Sequence, residues 1–204
     1  MSVKERIASQ FARPQGLLAP VTARVLNIGN RRINGLAIEA LDPKRGERVL
    51  EIGFGGGAAL GRVLRQVGAG GRVAGLELST EMVERARRRW RTHVEAGRLA
   101  VEEGSVDAMP FEETSFDAVS TVNTVYFWED VPAALTEVFR VVAPGGRVLI
   151  AIQPRVTKQW ERLYGREIPD ATQLATHLTD VGFEAAELRE PTPANTLILG
   201  RRPA

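Results

Sequence analysis

The chain has 204 residues, of which 44% are hydrophobic and 25% are charged, as in a globular protein with a buried core. A formal net charge of +2 does not favour nucleic acid as a partner, and the arginine-rich run 85–91 is interpreted as a solvated helix face. The sequence has no cysteine, no apolar run as long as a membrane span and no apolar signal-peptide core, so we expect a cytoplasmic enzyme or binding protein with no membrane span and no metal.

Residues 1–45 differ from the rest of the chain. Apolar residues recur there at helical spacing, and glycine and asparagine interrupt them at Gly29, Asn30, Asn34 and Gly35. We expect this segment to form a helical cap on a sheet built from residues 46–204. The whole chain, 1–204, is then predicted to be a single domain.

Four segments share one pattern, in which a glycine and a charged residue precede an apolar run. They are 46–50, 71–74, 97–100 and 146–149. Segments of helical period lie between them, and such alternation predicts βαβ units and a parallel sheet.

Three helices are predicted from their first residues. Ser79, Asp130 and Asp170 each precede an apolar stripe of helical period and are suitable N-caps. The stripe after Ser79 is expected to continue through Trp90 to Val94. The second helix is expected to end at 144–146 and the third at Gly182, because proline and glycine stop helices.

Two further strands are predicted near the end of the chain, at 183–189 and 196–200. The joint between them is short and contains Pro191 and Pro193. A joint without a helix cannot make a parallel crossover, so these strands are expected to be antiparallel neighbours.

The segment 49–57 predicts a strand that ends in a glycine-rich turn and continues into a helix. Glycines let a backbone approach a ligand closely, and the helix N-terminus offers backbone N–H groups. Gly53, Gly55 and Ala58 fit the G-x-G-x-x-A form of a dinucleotide fingerprint, with Glu77 at the distance of a ribose-binding acid. Glu51, inside the strand, instead suits a ligand that carries an ammonium group.

Three later segments decide between these ligands. They are 104–111, 115–119 and 140–149, the last containing Pro-Gly-Gly. In this order and spacing the chain resembles the class I S-adenosylmethionine-dependent methyltransferases, particularly the ubiquinone/menaquinone-type branch. The resemblance implies an α/β fold, with a Rossmann-like, doubly wound, seven-stranded sheet that is mostly parallel and has an antiparallel last strand.

The resemblance also implies S-adenosylmethionine as the cofactor and a set of residues that bind it. Glu51 would hold the methionine amino group, Glu77 the ribose, and Leu78 would pack beside the adenine. Ser105 stands where the family usually has an acid, so Ser105 and Asp107 are alternatives for the adenine amino group. The whole implied set is Glu51, Gly53, Phe54, Gly55, Gly57, Glu77, Leu78, Ser105, Val106, Asp107 and Asn123.

No catalytic base is assigned, because neither histidine lies on a segment expected to face the methyl group. The substrate-side candidates are Tyr126, Asn123 and Phe11. The aromatic run 126–128 either stabilises the sulfonium by cation–π contact or packs in the core. The substrate pocket is expected to draw on 10–18, 123–128 and 153–169.

The resulting hypothesis is a methyltransferase that methylates a small-molecule acceptor, at oxygen, nitrogen or carbon, by in-line displacement. The acceptor is expected to be rather large or apolar, and both a monomer and a homodimer stay open. The alternatives are a protein that binds S-adenosylmethionine without methylating, such as a cyclase or a regulatory protein, and a nicotinamide-dependent oxidoreductase.

Overall fold

The computed structural model of the protein describes residues 28–204, and its centre is a seven-stranded sheet. The strands are β1 (Arg48–Ile52), β2 (Arg72–Glu77), β3 (Leu99–Glu103), β4 (Phe116–Val122), β5 (Val142–Ile152), β6 (Glu184–Thr192) and β7 (Asn195–Arg201). Their order across the sheet is β3-β2-β1-β4-β5-β7-β6. Strands β1 to β5 pair in parallel, whereas β7 is antiparallel to both β5 and β6. The predicted fold class is therefore confirmed.

Helices cover both faces of the sheet. They are α1 (Arg31–Leu41), α2 (Ala58–Val67), α3 (Thr80–Arg89), α4 (Arg91–Glu95), α5 (Val131–Val141), α6 (Pro154–Tyr164) and α7 (Ala171–Asp180), with a 3-10 turn at Val125–Phe127. Successive side chains of β1 point to opposite faces of the sheet, as in any β-strand. Val49 belongs to the core cluster that includes residues of α1, α2 and α3, and Leu50 belongs to the cluster that includes residues of α5 and α7.

The three predicted helix starts are confirmed. Ser79 Oγ accepts from the backbone N–H of Met82, and an Asp130 carboxylate oxygen accepts from that of Ala133. Asp170 forms a full capping box with Gln173. These local interactions satisfy N–H groups that the first turn of a helix leaves unpaired.

Two helix ends differ from the prediction. The helix after Asp130 ends at Val141, not at 144–146, because Val142 already pairs with Phe116 as the first residue of β5. The Pro-Gly-Gly segment lies within β5, where an irregularity precedes the pairing of Ala118 with Arg147. The helix after Ser79 ends at Arg89, and Trp90 separates it from α4.

Strands β6 and β7 are the predicted antiparallel neighbours, although β6 continues through Pro191 to Thr192. The helix α6 was not predicted at all. It occupies most of the segment 153–169, which was expected only to contribute to a pocket.

Only part of the predicted N-terminal cap is described. Helix α1 buries Ile33, Ala37, Ile38 and Leu41 in the core cluster that includes Val49 of β1. Residues 1–27 lie outside the described residues, so the cap over 1–45 and the single-domain division stay predictions. Within 28–204, no helix combines the length and the apolar character needed to cross a membrane.

Candidate functional site

A cavity of about 340 Å³ lies at the carboxyl ends of β1, β2 and β4. Strands β1 and β4 are neighbours from which the chain winds outward in opposite directions. Ligands of open α/β sheets bind at such a switch point. The cavity is lined by every residue of the predicted cofactor set except Gly57.

The glycine-rich loop follows β1 and forms one wall of the cavity. Gly53, Gly55 and Gly57 all have positive φ angles, of 68°, 52° and 69°. A Cβ atom on Gly53 would also clash with Cγ2 of Thr124. The loop therefore needs glycine for its backbone conformation and for its close contact with the β4 side of the cavity. Gly57 is the N-cap residue of α2 and does not line the cavity.

Glu77 ends β2 and holds this loop in place. Its Oε2 accepts from the backbone N–H of Gly55 at 2.8 Å, and its Oε1 accepts from that of Ser79 at 3.2 Å. Burial raises the pKa of Glu77, and these backbone hydrogen bonds oppose the rise. Each carboxylate oxygen has a second acceptor direction, so the group can also receive hydroxyl donors from a ligand.

Glu51 lies in the same cavity and is only 5% exposed. Its Oε2 is buried and has no hydrogen-bond partner among the described residues. Burial, and secondly repulsion from Glu77, raises the pKa of Glu51 to about 8. Every charged side chain among the described residues that line the cavity is acidic. A buried carboxylate in such surroundings is suited to a cationic group of a ligand.

Asn123 follows β4 and lines the opposite side of the cavity in a left-handed conformation, with φ at 56°. Its Nδ2 donates to Asn30 Oδ1 and to Gln153 Oε1, each at 2.9 Å. Its Oδ1 accepts from the Tyr126 hydroxyl at 2.8 Å. The amide thus ties the residue before α1 to the ends of β4 and β5.

Tyr126, one of the predicted substrate-side candidates, does not line the cavity. Its side chain is only 1% exposed, and its hydroxyl also accepts from the backbone N–H of Gln153 at 2.9 Å. Burial raises the pKa of Tyr126 to about 12. The hydroxyl therefore supports Asn123 and is unsuited to take a proton from a ligand. Phe11, the remaining substrate-side candidate, lies outside the described residues.

The loop after β3 forms the third wall. Val106 is buried, Ser105 is partly exposed and Asp107 is exposed, and all three line the cavity. Leu78 lines it from the end of β2. Ser105 and Asp107 both stay candidates for the same ligand edge.

Several cavity residues were not predicted as site residues. Asn30 and Asn34 were interpreted only as breaks in a helical pattern, although a spacing of four residues places such side chains on one helix face. Glu129 and Asp130 also line the cavity, beyond the predicted pocket segment 123–128, and Thr124 lines it from within that segment. Phe127 and Trp128 line it while packing with the core, so their two predicted roles are compatible. The described residues contain no cluster of His, Cys, Asp and Glu that could hold a metal ion.

Comparison with known proteins gives a consistent result. A model described as a methyltransferase domain matches residues 50–150. An uncharacterised protein of a Streptomyces fradiae transposon is 37% identical over 120 residues, which cover 59% of this chain and 34% of that protein. An uncharacterised methyltransferase of Bacillus subtilis is 25% identical over 83% of this chain and 89% of its own length. A 2-phytyl-1,4-naphtoquinone methyltransferase of Nostoc punctiforme is 31% identical over 65% of this chain and 60% of its length.

Solved structures share the fold at low sequence identity. A S-adenosylmethionine-dependent methyltransferase from Aquifex aeolicus has a TM-score of 0.72 at 19% identity, covering 89% of this chain and 97% of its own. A putative methyltransferase solved with the Haloferax volcanii activator Trm112 has a TM-score of 0.76 at 22% identity, covering 92% of this chain and 96% of the other. The [4+2]-cyclase SpnF also matches, with a TM-score of 0.69 at 18% identity over 85% of this chain and 80% of its own. These likenesses show the fold alone.

Proposed function

Because the chain belongs to the class I S-adenosylmethionine-dependent methyltransferases, we propose that it transfers a methyl group from S-adenosylmethionine to a small-molecule acceptor. The observation that carries the proposal is the buried Oε2 of Glu51, a residue that lines the cavity; this oxygen has no partner among the described residues. An ammonium group, such as that of the methionine part of the donor, is the partner that a buried carboxylate requires.

The other walls of the cavity fit the remaining parts of the donor. Glu77 has acceptor directions left for the two ribose hydroxyls, and the Gly53–Gly55 backbone leaves room beside them. Leu78 offers an apolar surface for the adenine ring. Ser105 or Asp107 would accept from the adenine amino group, next to the backbone of Val106. Together with Phe54 and Asn123, these residues form the proposed donor site.

The bound donor supplies an electrophilic methyl group on a sulfonium. The chain's own residues have to place the acceptor in line with the methyl–sulfur bond and exclude water. Such alignment can lower the activation free energy by about 7–11 kcal/mol. The acidic side chains of the cavity favour the positively charged sulfonium. Among the described residues, the Tyr126 hydroxyl is engaged by Asn123 and Gln153, and Glu51 is assigned to the ammonium group of the donor, so neither is taken as a general base for the acceptor. The proposed acceptor is therefore a phenol, enol, carbanion or amine in preference to an aliphatic alcohol.

Calorimetric titration of the purified protein with S-adenosylmethionine and with S-adenosylhomocysteine tests the donor site. We expect micromolar binding of both. Replacing Glu77 by Gln, or Glu51 by Gln, should weaken binding roughly 10-fold or more, because each change removes a charge-assisted contact. Glu102→Gln is the matched control: Glu102 lies on β3, pairs with Arg87 at 3.7 Å and does not line the cavity.

Absence of binding of either compound would contradict the proposal, as would equal affinities in all three variants. Transfer is tested separately with a donor labelled in the methyl group. The protein is incubated with this donor and with fractions of a small-molecule extract. If the donor binds tightly but no fraction becomes labelled, the protein binds S-adenosylmethionine without methylating.

A further inference from the structure

An aromatic surface extends one wall of the cavity outward. Phe127 lines the cavity, and its ring meets Trp160 edge-on with ring centroids 5.0 Å apart at 72°. It also meets Tyr164 edge-on, at 6.4 Å and 89°. Trp160 and Tyr164 stack on each other at 5.4 Å and 18°. These three side chains, Phe127, Trp160 and Tyr164, are called the aromatic wall.

The aromatic wall is held in position by contacts at both of its ends. Phe127 belongs to the 3-10 turn after β4, whereas Trp160 and Tyr164 belong to α6, which begins directly after Gln153. Arg166 joins the two elements, because its Nη2 donates to the backbone oxygen of Tyr126 at 3.1 Å. The guanidinium of Arg166 also lies 5.8 Å from the Tyr164 ring centroid. These contacts connect the two elements that carry the wall.

The wall is only partly covered. Tyr164 is 37% exposed, although it stacks on Trp160. Phe127 and Trp160 are both partly exposed. Aromatic surface that is open to solvent and continuous with a ligand cavity is typical of a binding subsite.

Charge and hydrogen bonding limit what this subsite can hold. The charged residues that line the adjoining cavity are acids, with Glu129 directly after the aromatic run. An anionic ligand would therefore be repelled. The cationic Arg166 on the Tyr164 ring disfavours a ligand cation at the outer end. Two polar groups of the same segment, the Asn123 amide oxygen and the Tyr126 hydroxyl, already bond to each other. Recognition here must depend on ring stacking more than on hydrogen bonds.

We propose that the aromatic wall is the acceptor subsite and that the acceptor is a flat, uncharged aromatic ring system lying against Phe127. This inference rests on the proposed function. The acceptor's nucleophilic atom would point toward Asn123 at the end of β4. It forms the new bond to the methyl carbon as the carbon–sulfur bond breaks; the electron pair of that bond stays on sulfur, and the acceptor's proton passes to water.

Four probes that share one two-ring skeleton test the proposal on protein saturated with S-adenosylhomocysteine. They are 2-naphthol, its saturated analogue decahydro-2-naphthol, anionic 2-naphthoate and cationic 2-naphthylmethylammonium. We expect 2-naphthol to bind roughly 10-fold tighter than any of the others. Equal or tighter binding of the saturated alcohol would overturn the aromatic assignment. Equal or tighter binding of either charged probe would overturn the assignment of an uncharged acceptor.

Substitutions then locate the subsite. Phe127→Leu and Tyr164→Leu should each weaken binding of 2-naphthol roughly 3- to 10-fold, the range expected for loss of one aromatic contact. Tyr164 does not line the donor cavity, so Tyr164→Leu should leave the affinity for S-adenosylhomocysteine within about twofold. Phe111→Leu is the control, because Phe111 packs edge-on against Phe116 at 5.0 Å, away from the cavity lining.

The proposed donor site and the proposed aromatic subsite are refuted by different results. A wild-type protein that does not bind S-adenosylhomocysteine refutes the donor site itself. If the wild-type protein binds S-adenosylhomocysteine, the donor site is supported. If the affinity for 2-naphthol is then the same in Tyr164→Leu, Phe127→Leu and Phe111→Leu, the aromatic subsite is refuted.

Discussion

The hydroxyl group of Tyr126 donates to Oδ1 of Asn123 over 2.8 Å, and it accepts from the backbone N–H of Gln153 over 2.9 Å. Because Oδ1 is thereby an acceptor, the amide nitrogen of Asn123 is directed toward Asn30 and Gln153. A side chain buried in the core thus sets the orientation of a side chain in the cavity wall.

Replacing Tyr126 by Phe tests this relationship. The change leaves Asn123 Oδ1 and the Gln153 N–H without their partner, and an unsatisfied buried polar group costs about 1–3 kcal/mol. We expect the free energy of unfolding in urea to fall by about that amount. Tyr164→Phe removes the same hydroxyl from a half-exposed ring and should change stability by less than about 0.5 kcal/mol. A Tyr126→Phe protein as stable as the control would contradict the supporting role.

Gly53 provides a second prediction, because two separate costs oppose a side chain there. An alanine would have to adopt a positive φ, at about 1–2 kcal/mol, and its Cβ would clash with Cγ2 of Thr124, at about 1–3 kcal/mol. Gly53→Ala should therefore lower the free energy of unfolding by roughly 2–5 kcal/mol. Thr124→Ser removes Cγ2, so the same glycine change should cost less in that background.

Gly70 is the matched control for Gly53. A Cβ atom there would meet nothing within 4 Å, and its φ is not positive. Gly70→Ala should be neutral or slightly stabilising, since it reduces the freedom of the unfolded chain. If Gly53→Ala lowers the free energy of unfolding by the same amount in the wild-type and Thr124→Ser backgrounds, the backbone angle alone opposes the side chain. Differential scanning calorimetry of the five proteins (wild type, Gly53→Ala, Thr124→Ser, the double variant and Gly70→Ala) gives the comparison.

Features of the fold that depend on adjacent residues could be predicted from the sequence. The caps at Ser79, Asp130 and Asp170 act within one helical turn, so residue type and spacing suffice to find them. The end of the second helix could not be found in the same way. Pairing of Val142 with Phe116, which is distant in sequence, ends α5 before the Pro-Gly-Gly segment. Here a long-range contact overrides a local signal.

In the candidate site, too, some residues could be predicted from local sequence, whereas others depend on contacts that are distant in sequence. Glu51, Glu77 and the glycines lie at strand ends that the sequence identifies, and they line the cavity or support it. Asn30 and Asn34 carry no signal of this kind, because their position over the cavity follows from the packing of α1 on the sheet. The burial of the Tyr126 side chain could not be predicted either, because the 3-10 turn at Val125–Phe127 determines which of the aromatic side chains 126–128 faces the core.

Stability should depend on pH through Glu51. Burial, then repulsion from Glu77, raises the pKa of Glu51 to about 8 in the folded protein, compared with 4.5 for the free side chain. Between these two values the folded state holds more protons than the unfolded state, so stability falls as pH rises from about 4.5 to about 8. The loss is about 1.4 kcal/mol for each unit of difference in pKa.

The control for this pH dependence is Glu51→Gln, which is uncharged at every pH. Urea unfolding at several pH values should show a smaller fall in stability for the variant over the same window. Parallel curves for the two proteins would mean that Glu51 ionises in the folded state as readily as in the unfolded chain.

Donor binding should release a proton from the same carboxyl group. An ammonium group beside Glu51 stabilises the ionised form and lowers its pKa from about 8, so binding at about pH 6–7 displaces up to one proton. The affinity for S-adenosylhomocysteine should then rise by up to about tenfold per pH unit in this range. Calorimetry in buffers with different protonation enthalpies counts the protons directly. Glu51→Gln should bind more weakly and with an enthalpy independent of the buffer; a wild-type enthalpy that is equally independent of the buffer would mean that Glu51 is already ionised before the donor arrives.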